Sequence, residues 1–402
     1  MELCKKEQCT GCLACYNACK HKAIKINSDK EGFNYPHIIS DLCVECGLCS
    51  SSCPILNNQQ IHESTPRHTY ATWSKQKDII DNSSSGGAFT ILAEEILNYG
   101  GVVFGATLDI EKKCVKHIFI NDKNDLWKLQ GSKYVQSHIG NSYSECSKFL
   151  RQGYKVLFTG TPCQIAGLYT YLRKNDDNLI TLDIICHGVP SPLVFYKYLI
   201  MLENKENSNI KTFKFRDKHW SWNRFNIKCE FNNGHTYYGI WEKDTFIRGF
   251  LRELYLRPSC HNCGFAKSER ISDITLGDFW GYRERSSEKL NFDRGISLVL
   301  INTTKGNEIF NKVREQNICY EREYNDAVKN QQALRSCFPP SPLRENFWQD
   351  FNKMNFGDLM SKYCFPEKLP FTKKIKYKFG HLRLYRILLF IIKTVNHKRN
   401  KV

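Results

Sequence analysis

The sequence predicts an α+β protein in three parts: a small N-terminal module built around cysteines, a mixed α/β body, and a basic helical C-terminal tail. Three observations carry this. Eight cysteines stand in two matched runs between residues 9 and 53. From residue 68 onward, short segments rich in β-branched and aromatic residues alternate with segments of helical periodicity. From Phe371 to Val402 there are ten Lys or Arg and no Asp or Glu.

The module comes first. Cys9, Cys12, Cys15 and Cys19 stand at C-x2-C-x2-C-x3-C spacing, and Cys43, Cys46, Cys49 and Cys53 repeat it, with Pro54 closing the second run. Three cysteines two residues apart wrap one loop around three corners of a cubane, and in two-cluster ferredoxins the fourth thiolate comes from the other run. The spacing therefore predicts two [4Fe–4S] clusters in a bacterial-ferredoxin fold over residues 1–56. One uses Cys9, Cys12, Cys15 and Cys53; the other uses Cys43, Cys46, Cys49 and Cys19. Such clusters move electrons singly. Zinc prefers pairs of C-x2-C knuckles rather than triplets, and a disulfide framework belongs to an exported chain. The first twenty residues hold five cysteines, several lysines and no apolar stretch, which predicts that there is no signal peptide. Lys20 follows Cys19 where the motif often has proline. Lys20, His21 and Lys22 read either as a solvated turn or as a patch that tunes potential or docks an acidic partner.

Composition sets the wider bounds. A chain of 402 residues exceeds one comfortable core, so two or three domains are expected. With 41% hydrophobic and 13% aromatic residues it fills such cores and is not disordered. Nineteen cysteines point to the reducing cytoplasm, where thiolates serve as metal ligands. The net charge of +17 is concentrated in the tail. Its apolar stretch, Leu384 to Ile392, is too short to span a bilayer. It reads as a basic amphipathic helix on the inner face of a membrane, or as a helix packed on the protein or a second subunit. No nucleic-acid motif appears.

Along the body, His68–Ser74 reads as a strand and Ala88 to Asn98 as a helix, with Gly101–Ala106, Lys155–Thr159 and Leu179–Ile185 as further strands. A helix is expected over Gln164–Leu172 and another after Pro190. Beyond Lys211 the strands Thr212–Arg216, Arg224–Phe231, His235–Ile240, Ile271–Leu276 and Ile296–Ile301 follow. The expected domains are 1–56, a body in two parts (68–150 and 151–345), and a basic tail over 346–402, with a linker from Asn57 to Arg67.

Two constellations stand out in the body. Cys163 and Cys186 lie at the carboxyl ends of predicted strands, where open α/β sheets bind ligands, and Cys260 and Cys263 form a further pair. The four thiols suit a third cluster, a zinc ion, a catalytic thiol at Cys163 or plain burial; the residues alone do not choose. Cys4, Cys114, Cys146, Cys229, Cys319, Cys337 and Cys364 have no spacing partner and are read as structural. Separately, Ser83-Ser84-Ser85-Gly86-Gly87 ends where a helix begins, a place that favours anions. Ser132, Lys133 and Tyr134 offer a cation and hydroxyls nearby. A serine-capped turn and an ordinary polar loop would look the same.

Taken together, Ser84-Ser85-Gly86-Gly87, Ser132-Lys133-Tyr134, Gly160-Thr161-Pro162-Cys163-Gln164, Cys186-His187-Gly188-Val189-Pro190, Cys260-x2-Cys263 and Ser272-Asp273-Ile274-Thr275-Leu276-Gly277-Asp278-Phe279-Trp280-Gly281 resemble the beta-subunit family of coenzyme F420-reducing hydrogenases and dehydrogenases. The resemblance covers about residues 1 to 340. It implies an FAD-binding body that exchanges electrons between clusters and an organic hydride acceptor. It implies a third [4Fe–4S] cluster on Cys163, Cys186, Cys260 and Cys263, between the module and the flavin. Relatives of this type reduce F420 and other conjugated or hydroxylated compounds, and some sit among genes for cell-surface polysaccharides. His187 and Asp278 are the candidates for proton delivery, or else a ligand-orienting histidine and a turn-capping aspartate. Lys133, Arg216, Arg248 and Arg270 are candidate anion contacts. The expected partners are a small-molecule substrate and an electron-carrying protein such as a ferredoxin. The competing expectation is an electron-transfer subunit that serves a separate catalytic partner.

Overall fold

The computed structural model describes residues 3–57, 63–282 and 294–365. The expected membrane-surface helix beyond Phe371 lies outside them. Among the described residues no helix is long and apolar enough to cross a membrane.

The N-terminal module has little apolar material to bury. One antiparallel hairpin pairs β1 (Ile24–Ser28) with β2 (Asn34–Ile38), Ile24 opposite Ile38. Two one-turn helices, Ala14–Ala18 and Leu48–Ser51, carry Cys15 and Cys49. Its interior is Phe33, Tyr35, Ile24 and the cysteines themselves.

In chain order the body's strands are β3 (His68–Ser74), β4 (Val102–Asp109), β5 (Cys114–Ile120), β6 (Val156–Gly160), β7 (Leu179–Ile184), β8 (Ile210–Asp217), β9 (Asn226–Phe231), β10 (Thr236–Ile240), β11 (Ile274–Asp278), β12 (Ser297–Ile301) and β13 (Asn317–Arg322). Eight of them form one mixed sheet in the order β13-β3-β12-β11-β7-β6-β4-β5. Its central four, β11, β7, β6 and β4, run parallel, and antiparallel strands flank them on both edges. Strands buried on both faces are continuous apolar runs, and Val156-Leu157-Phe158 is such a run, with each residue at most 1% exposed.

One face is covered by the helices Ala88–Asn98 and Thr304–Arg314, whose Leu92, Ile96, Ile309 and Phe310 share a core with β4, β7 and β12. Helices Ser142–Arg151 and Pro162–Leu172 cover the other face, and that core takes in Cys12, Leu13 and Ala14 of the module. The module therefore packs directly on the helix that follows β6.

A separate antiparallel sheet, β10-β9-β8, packs with the helix Pro192–Glu206. The same core includes Phe347, Phe351, Leu359 and Met360, from Arg344 to Cys364, all 1% exposed or less. The body's packing thus runs on to Cys364, past the boundary at 345 expected from sequence. That boundary follows the end of the family resemblance near residue 340, whereas the burial of these four residues decides where the core ends.

Candidate functional site

The module's cysteines close into two sets, and each takes its fourth member from the other run. Cys43, Cys46 and Cys49 line one pocket with Cys19, beside His21 and Val44. Cys9, Cys12 and Cys15 line another with Cys53, beside Cys4, Thr10 and Gly11. Left-handed backbone at Gly11, Leu13, Glu45 and Gly47 coils each run tightly enough to turn its thiols inward. The sets differ in exposure. Cys9, Cys12, Cys15 and Cys53 are all 9% exposed or less, whereas Cys46 is exposed and is flanked by Leu42 and Val44 at 50% and 58%. The first is an inner site and the second an outer one. Sequence spacing gave no role to Cys4, yet it hydrogen-bonds with Cys53 and Cys9. The crowding of the three thiols pushes Cys4 up and brings Cys9 and Cys53 down.

The sheet builds the third thiol group. β6 and β7 are parallel neighbours, so the residues just past their carboxyl ends share one edge. Cys163 enters there on the first turn of Pro162–Leu172, which Thr161 and Gln164 start with a reciprocal capping box. Cys186 follows β7. Cys260 lies on the short helix Pro258–Asn262 and Cys263 just after it. All four line one cavity, together with His187, Arg270 and Cys337. Cys337, unassigned from sequence, donates to the carbonyl of His261 at 3.2 Å. Burial pushes Cys163 up to about 11, Cys260 up to about 12, and Cys186 and Cys263 upward. A free nucleophilic cysteine needs the opposite environment. Among the described residues no three or more Cys, His, Asp or Glu converge on a point suited to a single ion. The four thiols line a cavity rather than converge on one point.

Thr10 and Gln136 connect the inner site to this cavity. Thr10 lines both, and its hydroxyl stands beside the Cys163 thiol. Gln136 Nε2 donates to the Thr10 carbonyl at 3.1 Å. Arg257, fully buried, donates through Nε to the Cys9 carbonyl at 2.7 Å, through Nη1 to Gln136 Oε1 at 2.8 Å and through Nη2 to the Asn34 carbonyl at 3.1 Å.

The serine–glycine segment and Ser132–Tyr134 also meet: Ser132 N donates to Ser84 Oγ at 2.7 Å. The other donors face inward. Ser83 Oγ and Ser85 Oγ donate to the carbonyls of Ile79 and Ile296 at 2.6 and 2.7 Å. Gly86 N donates to Ser297 Oγ at 2.9 Å. Lys133 Nζ faces the carbonyls of Lys128, Leu129 and Gln130 at 3.4, 2.9 and 2.8 Å, and its burial lowers it to about 7. What this segment offers an anion is therefore the start of Ala88–Asn98, which has no side-chain cap. Ser83, Ser85 and Lys133 hold main-chain carbonyls instead, while Ser84 accepts from Ser132 N. The fit to a flavin pyrophosphate rests on those helix amides.

Asp278, at the carboxyl end of β11, forms a buried ion pair with Arg216 and accepts from Trp222 Nε1 at 2.7 Å. Trp222 stacks on Trp280 at 4.7 Å. Burial alone would lower Arg216, but Asp278 and Tyr134 more than offset it and raise it. His187 pairs with Glu253 at 3.1 Å and stacks on Phe338, and its edge meets Phe250, which also packs against Tyr134. An aromatic row thus runs from Tyr134 to the thiol cavity. Arg270 pairs with buried Asp183 at 2.8 Å, and Arg248 donates to the Cys364 carbonyl at 3.4 and 3.3 Å. The four candidate anion contacts are all held by groups within the protein.

Comparison with known proteins gives the following. Residues 69–142 match the N-terminal region, and residues 153–327 the C-terminal region, of the coenzyme F420 hydrogenase/dehydrogenase beta subunit. Residues 8–56 match the 4Fe-4S dicluster domain. A solved structure of the F420-reducing [NiFe] hydrogenase complex from Methanosarcina barkeri, derivatised with xenon, is similar over 67% of this chain and 88% of the matched chain, at 20% identity and a TM-score of 0.46. No curated protein matches the chain.

Proposed function

Given that the chain belongs to the coenzyme F420 hydrogenase/dehydrogenase beta-subunit family, with a 4Fe-4S dicluster domain fused ahead of it, we propose that it is an iron–sulfur flavoprotein oxidoreductase acting on a small organic hydride acceptor or donor. The observation that supports this reading is the order of the three thiol sets, from an exposed outer site through a buried inner site to the sheet-edge cavity, with Thr10 and Gln136 at the last junction.

In this reading Cys19, Cys43, Cys46 and Cys49 hold one cluster, Cys9, Cys12, Cys15 and Cys53 a second, and Cys163, Cys186, Cys260 and Cys263 a third. Such clusters supply one-electron conduction, and a flavin supplies the exchange between single electrons and a hydride. The protein's own groups do the rest. The apolar shell of the inner site excludes water. The amides at the start of Ala88–Asn98 would hold the flavin phosphates. Trp222 and Arg216 fix the Asp278 carboxylate at the sheet edge. The His187–Glu253 pair stands beside the thiol cavity, where it would serve proton delivery.

The test is anaerobic purification followed by iron, acid-labile sulfide and flavin analysis. About twelve irons with bound FAD supports the reading. About eight irons without flavin replaces it with an electron-transfer subunit that serves a separate catalytic partner.

A further inference from the structure

Three arginines lie buried in the body near the sites described: Arg216 at 6% exposed, Arg257 at 0% and Arg270 at 2%. Two have carboxylate partners, Asp278 for Arg216 and Asp183 for Arg270. Arg257 has none among the described residues. Its fork is spent on two carbonyls and an amide, and its face lies over the rings of Tyr35 and Phe33, at 4.2 and 5.5 Å from their centroids. A guanidinium cannot give up its proton at ordinary pH, so among the described residues a permanent positive charge sits in the interior without a carboxylate counter-ion. That is costly unless an anion lies close by. The nearest candidates are thiols: Cys9 of the inner site and Cys163 and Cys260 of the cavity all lie within its field. The backbone is pressed against it as well. Gly11 has φ +70°, and a Cβ there would stand 2.4 Å from Gln136 Nε2 and 2.9 Å from Arg257 Nη1.

We propose that the counter-ion of Arg257 is the thiolate-bound cluster of the inner site, and that this charge holds the inner cluster's midpoint potential above that of the outer one. The inference rests on the cluster reading given above. A cluster on four thiolates is anionic, and reduction adds one further negative charge. A fixed cation nearby favours the reduced form, and more strongly where water is excluded. Arg257 donates to the loop of Cys9 of the inner set, and among the described residues none of its hydrogen bonds goes to a cysteine of the outer set. The electrostatic gradient therefore draws electrons inward from the exposed end. Arg257 is a positioning and tuning residue, not a catalytic one.

The test uses the full chain purified without oxygen, with iron and sulfide measured first and the reduced clusters then followed by EPR during redox titration. Two substitutions approach the charge from opposite sides. Arg257→Gln removes it. Gln136→Glu supplies the missing carboxylate at the atom that already accepts from Nη1. Each is expected to move the midpoint of one module cluster to more negative potential and leave the other in place; a Cys46→Ser variant identifies the outer signal. If Arg257→Gln fails to accumulate folded protein, Gln136→Glu carries the test by itself. Unchanged midpoints at wild-type iron content overturn the proposal, as does an equal shift of both clusters. Wild-type protein without acid-labile sulfide would instead overturn the cluster reading, a separate and recognisable failure.

Discussion

The module and the sheet-edge cavity gather thiols in different ways. In the module, eight cysteines fall within 45 residues, between Cys9 and Cys53, and the left-handed turns of each run bring them together with almost no apolar core. In the cavity, four cysteines spread from Cys163 to Cys263 meet only because β6 and β7 are parallel neighbours and the chain returns through Pro258–Asn262. The first site is coded by spacing, and the second by the sheet. This contrast leads to measurable differences.

The largest expected effect comes from stripping iron. Because the module buries so little besides its cysteines, metal binding and folding are one event there. Oxidation with a chelator should abolish hydrogen-exchange protection across residues 24–38 while the amides of β6 and β7 keep theirs. Equal loss in both regions would show that the module does not depend on its ligand.

The next test separates the sites by substitution. Cys163→Ser should lower iron by about four atoms per chain and leave both module clusters in place, with little change in melting temperature. Cys49→Ser should remove a similar amount of iron and also loosen the module, since Cys49 is part of its small core.

A smaller effect is expected where the two regions touch. Gly11→Ala places a methyl group on Gln136 and Arg257 in a left-handed conformation. The cost should be about 1–3 kcal/mol, seen as faster exchange in the module at unchanged iron content in the cavity. Wild-type exchange rates would mean that the two regions are not pressed together at this point.

The last prediction concerns the body only. His117 on β5 is buried, with Nε2 on the Thr159 carbonyl at 3.0 Å, and burial lowers it from 6.5 to about 4. The unfolded chain takes up this proton first as pH falls. The contribution is therefore fully present above pH 6.5 and is lost between pH 6.5 and about 4, by up to about 3 kcal/mol. His117→Gln should flatten the acid limb of a melting-temperature profile. An unchanged limb would place the acid sensitivity elsewhere.

Most of the strand and helix pattern was legible because the central strands are buried on both faces and read as apolar runs. The expected strand His68–Ser74 and helix Ala88–Asn98 keep those bounds in the structure. β5 and β13 were missed. They are partly exposed edge strands, Cys114-Val115-Lys116-His117 and Asn317-Ile318-Cys319-Tyr320, whose polar positions dilute the signal. The helices from Arg344 to Cys364 lie past the end of the family resemblance near residue 340 and read from sequence as part of the tail. Cys4 and Cys337 carry no spacing partner, so nothing local marks them as neighbours of the thiol sets. Lys133 and the serines show the reverse case. Their sequence context suggested ligand contacts, but in the fold Ser83, Ser85 and Lys133 satisfy main-chain carbonyls, which would otherwise be left without donors.

The sequence by itself determined the module: which cysteines belong to which set, and the crossing between the runs, because ligand geometry acts over a few residues of chain. It also determined that the body is a mixed α/β fold, because burial leaves a periodic trace. Only the tertiary structure decided that Arg257, with no carboxylate partner among the described residues, lies between two thiol sites, and that Thr10 reaches Cys163. Such contacts join residues 150 to 250 positions apart, and no local preference of the chain records which distant loops a sheet brings together.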